Sequence, residues 1–160
     1  MYDTIIVGAG PVGLYAAYYL QSKGINVCLL EANHQVGGQL TSMYPEKSIV
    51  NLPGIKEIKA QDYITDLVKQ LDSDNIIHLN QKVTSVTNEG EDFIVSSETD
   101  SFTANSIIIA TGNGELKPRP LGVEDEDKIE NIIYAITDLK ALEQQDVVIF
   151  GGGDSAIDWA

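Results

Sequence analysis

Residues 1–31 read MYDTIIVGAGPVGLYAAYYLQSKGINVCLLE, and the reading of this stretch decides the fold. Thr4-Ile5-Ile6-Val7 is an apolar strand that runs directly into Gly8-Ala9-Gly10-Pro11-Val12-Gly13 and then into a helix opened by Leu14-Tyr15-Ala16-Ala17. Each glycine has its own physical task. Gly8 allows the tight turn, Gly10 lets the backbone approach a pyrophosphate, and Gly13 lets helix and strand pack closely. Pro11 suits the first helical turn, where its missing N–H would have had no partner, and the N–H groups beside it, starting at Val12, face an anion. A second strand, Asn26-Val27-Cys28-Leu29-Leu30, ends in Glu31, about 20 residues beyond the glycines, where a carboxylate accepts hydrogen bonds from ribose hydroxyls and repels a 2′-phosphate.

A glycine pattern alone is weak. Here an apolar strand precedes it, a helix follows it and an acid closes the next strand, which together make a Rossmann-like βαβ unit. The ligand predicted from these residues is a dinucleotide with an unphosphorylated adenosine ribose, FAD or NAD. The alternative, a glycine-rich turn that binds nothing, leaves that agreement unexplained.

At 160 residues, with 43% hydrophobic and 21% charged residues, the chain suits one globular domain, or one domain and part of another. Its net charge of −14 argues against nucleic acid or an anionic membrane surface as partner. Met1-Tyr2-Asp3 leads straight into the first strand with no secretory pattern, so the expected location is cytoplasmic. The longest aliphatic run, Ile107-Ile108-Ile109-Ala110, is too short to cross a bilayer and suits a strand buried on both faces. Cys28 is the single cysteine, and its place in the second strand predicts a small core residue rather than a redox thiol. His34 and His78 are far apart and lack metal-ligand partners, so both read as ordinary residues and no metal site is expected.

Further along, the paired glycines Gly37 and Gly38 signal a close backbone approach, with Gln39 and Tyr44 beside them as a candidate cofactor wall; a plain surface loop is the alternative. Residues 59–71 carry Ala60, Tyr63, Ile64, Leu67, Val68 and Leu71 at helical spacing, a covering helix. Short segments at 76–79, 83–87, 93–96 and 101–104 read as an inserted β-meander. Ser106 to Ala110 then returns to a buried parallel strand, and its Ala110-Thr111-Gly112 turn is expected to face the same dinucleotide. Lys117-Pro118-Arg119-Pro120 reads as an extended connector, so the boundary falls near 117, between domains 1–117 and 118–160. After a short helix candidate at 138–144, Asp146 to Phe150 and Gly151-Gly152-Gly153-Asp154-Ser155-Ala156 predict a second strand and glycine turn, with Ala156 in the third glycine's place. The expected fold class is therefore α/β: a Rossmann-like FAD-binding βαβ with an inserted β-meander, followed by the start of a second Rossmann-like NAD(P)-binding domain.

In this order, the first glycine motif, Gly37-Gly38-Gln39-Leu40, the Ala-Thr-Gly turn and Gly151-Gly152-Gly153-Asp154-Ser155-Ala156 resemble the two-dinucleotide flavoproteins of the thioredoxin reductase type. Within that group Met43-Tyr44-Pro45-Glu46-Lys47, Gly112-Asn113-Gly114 with Lys117-Pro118-Arg119, and Asp158-Trp159-Ala160 are similar to the bacterial ferredoxin–NADP⁺ reductase type 2 family. The resemblance implies FAD held by Gly8, Gly10, Gly13 and Glu31, with Gln39 and Tyr44 at the cofactor and Val83 beside the adenine through its backbone. Leu116 stands where that family often has phenylalanine, and Gly151, Gly153 and Ala156 match the NADPH pyrophosphate turn. The implied reaction is hydride transfer from NADPH to FAD, then electrons one at a time to ferredoxin or flavodoxin, in a full-length homodimer. Thioredoxin reductases carry a C-x-x-C before the second turn, where this chain has Tyr134-Ala135-Ile136-Thr137-Asp138, so electrons must leave the flavin directly. The competing readings are a non-catalytic FAD-binding fragment, a thioredoxin reductase-like protein lacking its C-x-x-C, and an NAD-dependent dehydrogenase using the first site alone. These 160 residues by themselves are expected to be incomplete as a catalyst.

Overall fold

The computed structural model describes residues 1–72, 75–114 and 119–159. In chain order the elements are β1 (Tyr2–Val7), α1 (Pro11–Gln21), β2 (Val27–Leu30), α2 (Gln39–Ser42), β3 (Ser48–Ile49), β4 (Ile58–Lys59), α3 (Ala60–Lys69), β5 (Ile77–His78), β6 (Val83–Glu89), β7 (Asp92–Ser97), β8 (Ser101–Ile109) and α4 (Asp154–Trp159). Six strands form one sheet in the order β5-β2-β1-β8-β7-β6. Its first four are parallel. β1 pairs with β2 from Thr4↔Val27 to Val7↔Leu30, and with β8 from Thr4↔Ser106 to Val7↔Ile109.

Strand alternation splits the core into two layers, since neighbouring side chains point to opposite faces. Ile6, Val27 and Leu29 pack with Leu14 and Ala17 of α1 and Ile64 and Leu67 of α3. Ile5, Val7, Cys28 and Leu30 face the other way, where Val95 of β7 and Ala104 of β8 close over them. α3 is kept amphipathic by its sequence and carries Asp62 in its first turn and Lys69 in its last, each at the end of the helix dipole that favours its charge. α1 begins with Pro11 and ends before Gly24, whose φ of +76° turns the chain back toward β2.

The structure departs from the sequence reading in five places. Ile77–His78 is not part of the meander: β5 is the parallel edge strand beside β2, through Leu29↔Ile77 and Leu30↔His78. The segments expected at 101–104 and 106–110 are one strand, β8, whose first half pairs antiparallel with β7 (Phe93↔Ala104 to Ser96↔Ser101) and whose second half pairs parallel with β1. Ile109 is 65% exposed rather than buried on both faces. Finally, Val147 to Phe150 is not a strand and pairs with none among the described residues, with Val148 and Phe150 each 81% exposed, since a strand needs a neighbour to satisfy its backbone. α4 does follow the second glycine turn as expected, while the 138–144 candidate shortens to a 3₁₀ turn at Lys140–Leu142. The boundary expected at 117/118 lies outside the described residues.

α1 can lie so close to β1 only because Gly13 has no side chain: a Cβ there would stand 1.9 Å from the carbonyl oxygen of Gly8. Gly13→Ala is therefore expected to destabilise the fold by about 1–3 kcal/mol through overpacking against backbone. Denaturant unfolding checks this, and an unshifted midpoint would contradict the contact.

Candidate functional site

Because Val7 stands beside Ile109, β1 and β8 leave the sheet together and their turns meet; the Ala110 N–H donates to the Val7 carbonyl at 2.8 Å. The two turns border a cleft of about 490 Å³ at the carboxyl ends of the parallel strands, the place where open α/β sheets bind ligands. Of the residues singled out in the sequence, Gly8, Gly10, Pro11, Val12, Glu31, Gly38, Gln39, Val83, Ala110, Thr111 and Gly112 all line it.

The glycines of the first turn divide by what requires them. Gly8 has φ +105°, and a Cβ on it would lie 2.5 Å from the Ala110 carbonyl oxygen. Gly8 and Gly13 thus serve the fold. Gly10 has an ordinary φ of −73°, and a Cβ on it would meet nothing within 4 Å. The protein's own packing leaves room for a side chain at Gly10, so the constraint there comes from whatever occupies the cleft. Gly10 is also the uncapped N-cap of α1, and the first intrahelical bond is Leu14 N–H to the Gly10 carbonyl at 2.9 Å. The N–H groups of Val12 and Gly13 precede that ladder at the positive end of an 11-residue helix, an arrangement that suits a phosphate.

Glu31 is only 5% exposed. Its Oε2 accepts the Ala9 N–H at 2.8 Å, and its Oε1 accepts both the backbone N–H and the Nδ2–H of Asn33 at 2.9 Å. A buried acid is thereby satisfied, and the glycine turn is tied to the end of β2. The second wall is docked on the first turn: Gly37 N–H donates to the Ala9 carbonyl at 2.8 Å, and Gly38, with φ +56°, sits where a Cβ would come 3.4 Å from Gly10 Cα. The stretch read as a loop or wall is the short helix α2, which places Gln39 and Leu40 on the cleft.

Several assignments fall elsewhere. Gly13 lies beneath the turn rather than on the cleft. Tyr44 points to the second glycine turn, its hydroxyl 3.5 Å from Ser155 Oγ, beside an ion pair between Lys47 and Asp158. Asp158, as hydrogen-bond partner, raises the Lys47 pKa. Gly151 and Gly153 lead into α4 and Ala156 lies in its first turn, its N–H donating to the Gly153 carbonyl at 3.0 Å; none of the three lines the cleft. Leu116 lies outside the described residues. Asn33, Gln81 and Lys82 line the cleft without having been singled out. For Asn33 a local signal existed, an Asn two residues after a carboxylate in a loop. Gln81 and Lys82 are brought in by the Gln81 N–H bond to the Glu31 carbonyl at 2.7 Å, a contact between distant segments that leaves no local trace.

Cys28 is buried against the second core layer, and burial pushes its thiol up to about 12, with only a partial offset from the Tyr2 hydroxyl. No group of three His, Cys, Asp or Glu able to hold a metal occurs among the described residues. His78 instead packs edge-on against Phe102, with ring centroids 5.3 Å apart.

A sheet whose two central, parallel strands end at a shared glycine-lined cleft, with a helix N-terminus aimed into it, is the architecture of the dinucleotide-binding class of α/β proteins. More narrowly, the chain belongs to the pyridine nucleotide-disulphide oxidoreductase family, which it matches over residues 2–160. It is 39% identical to a ferredoxin–NADP reductase of Streptococcus pneumoniae over 161 residues, covering 100% of this chain and 50% of the relative. A ferredoxin–NADP reductase of Lactococcus lactis is 40% identical over 162 residues, covering 99% of this chain and 50% of the relative. Among solved structures, thioredoxin reductase from Streptococcus pyogenes superposes with a TM-score of 0.63 at 32% identity, over 77% of this chain and 38% of that one. The chain thus spans about half the length of the relatives it matches.

Two outcomes follow from the site. Gly10→Val is expected to hold stability to within about 1 kcal/mol, since the position is spacious, while weakening dinucleotide binding at least tenfold by filling the pyrophosphate's place. Comparing the unfolding midpoint with a cofactor titration checks both halves, and unchanged binding would defeat the assignment. Cys28, buried and with its thiol pushed up to about 12, is expected to resist iodoacetamide until the protein is unfolded. Rapid alkylation of the native protein would contradict its burial.

Proposed function

We propose that this chain supplies the FAD-binding part, residues 1–117, and the opening of the NADPH-binding part, residues 118–160, of a flavin-dependent oxidoreductase that passes electrons from NADPH to ferredoxin or flavodoxin. The observation that carries the reading is Gly10, a glycine the fold does not need at the mouth of a cleft walled by a helix N-terminus. The N–H groups of Val12 and Gly13 would hold the FAD pyrophosphate, and Glu31 would take the adenosine ribose. Val83, at the start of β6, would border the adenine, while Gln39 and the Ala110-Thr111-Gly112 turn would flank the remainder of the cofactor. Gly151, Gly153 and Ala156 would form the NADPH pyrophosphate turn. When bound, the flavin takes two electrons as hydride and can release them singly.

The single buried cysteine supports an external acceptor, since a disulphide relay within these residues would need two thiols. Similarity to two ferredoxin–NADP reductases supports ferredoxin as that acceptor. No helix among the described residues is long and apolar enough to cross a membrane. The cytoplasmic location and the homodimer of the longer protein are part of this proposal and rest on the sequence resemblance. A second reading, a flavin-holding fragment without turnover, is favoured for these residues in isolation by the unpaired Val147 to Phe150.

The assay is anaerobic NADPH oxidation by the longest form of the protein that the cell makes, with ferredoxin, flavodoxin or a disulphide as acceptor. Reduction of ferredoxin or flavodoxin without disulphide reduction is expected. Disulphide reduction as the preferred reaction would overturn the proposed acceptor.

A further inference from the structure

Glu31 is more heavily engaged than a ribose-binding acid needs to be. A carboxylate offers four acceptor positions, two on each oxygen. Asn33 fills both on Oε1, through its backbone N–H and its Nδ2–H at 2.9 Å, and the Ala9 N–H fills one on Oε2 at 2.8 Å. One position remains, on Oε2. Asn33 is in turn fixed by its own carbonyl, which accepts the Asn80 N–H at 3.0 Å, and Asn80 holds a left-handed φ of +57°. The neighbouring Gln81 donates its N–H to the Glu31 carbonyl at 2.7 Å, while its side chain is held by Ser97 at the end of β7 and Asp100 in the turn that follows. The donors around Glu31 are thus anchored from two directions, so that side of the carboxylate is closed to a ligand.

We propose that Asn33 is a specificity-setting residue that, by occupying Oε1, confines Glu31 to a single hydroxyl of the adenosine ribose. That hydroxyl is the 2′-OH, the group an acid at the end of the second strand reaches. The 3′-OH then has no partner on Glu31. This inference rests on the cleft being the FAD site. It goes beyond that reading because an acid with both oxygens open would grip both hydroxyls.

The test is titration of the flavin-free protein with FAD and with its 2′-deoxyadenosine and 3′-deoxyadenosine analogues, followed by flavin fluorescence. The 3′-deoxy compound is expected to bind within about twofold of FAD and the 2′-deoxy compound about tenfold or more weakly, the usual loss for a hydrogen bond to a charged group. Asn33→Ala removes the Nδ2 donor and reopens one position on Oε1. In that variant the 3′-deoxy compound should fall behind FAD by about threefold or more, a change in selectivity that a merely structural role for Asn33 would not produce. With FAD bound, equal losses at both positions, no loss at either, or a loss at the 3′ position alone in the unaltered protein would each overturn the inference while leaving the FAD reading intact. Failure of FAD itself to bind would overturn both.

Discussion

The approach of Gly13 to the carbonyl of Gly8, 1.9 Å from where a Cβ would stand, is the constraint on which the rest of the site depends. It lays the first turn of α1 across the end of β1. From there the geometry follows in sequence. β8, in register with β1, must end at the same level, so the Ala110 turn meets the first glycine turn, and Gly8 has to be glycine to let it pass. The Gly37-Gly38 pair then closes on the outside of that turn through Ala9 and Gly10. One close helix–strand contact therefore positions three separate segments around a single cleft.

The second determinant is the charge buried beside it. Placing the Glu31 carboxylate at 5% exposure would be costly if it stood alone, and three N–H donors from Ala9 and Asn33 offset that cost. The same bonds hold the glycine turn against β2, so the acid stabilises the site's shape as well as offering it an acceptor. On the opposite layer burial pushes the Cys28 thiol up and keeps it uncharged.

How much was legible in the sequence follows from the range of the interactions. The βαβ unit was legible because strand, turn, helix and acid are local features, and the cleft residues from Gly8 to Glu31 came with it. The course of Ser101 to Ile109 was not, because continuing one strand from an antiparallel to a parallel neighbour depends on β7 and β1, which are distant in sequence. β5 was misplaced for the same reason: two residues, Ile77 and His78, carry too little pattern to declare which strand they join. Tyr44 was assigned to the cofactor wall from its neighbours; in the structure its hydroxyl stands near Ser155, over a hundred residues away, a contact that leaves no local trace. The apolar run Val147 to Phe150 has strand character in its composition, but composition cannot supply the partner that a strand requires.

The central claim is that the cleft between the ends of β1 and β8 holds FAD. The visible absorption spectrum of the purified protein after gel filtration, with FAD added beforehand, tests it most directly. The account predicts an oxidised-flavin spectrum that travels with the protein. A folded protein that emerges colourless after incubation with excess FAD would contradict it.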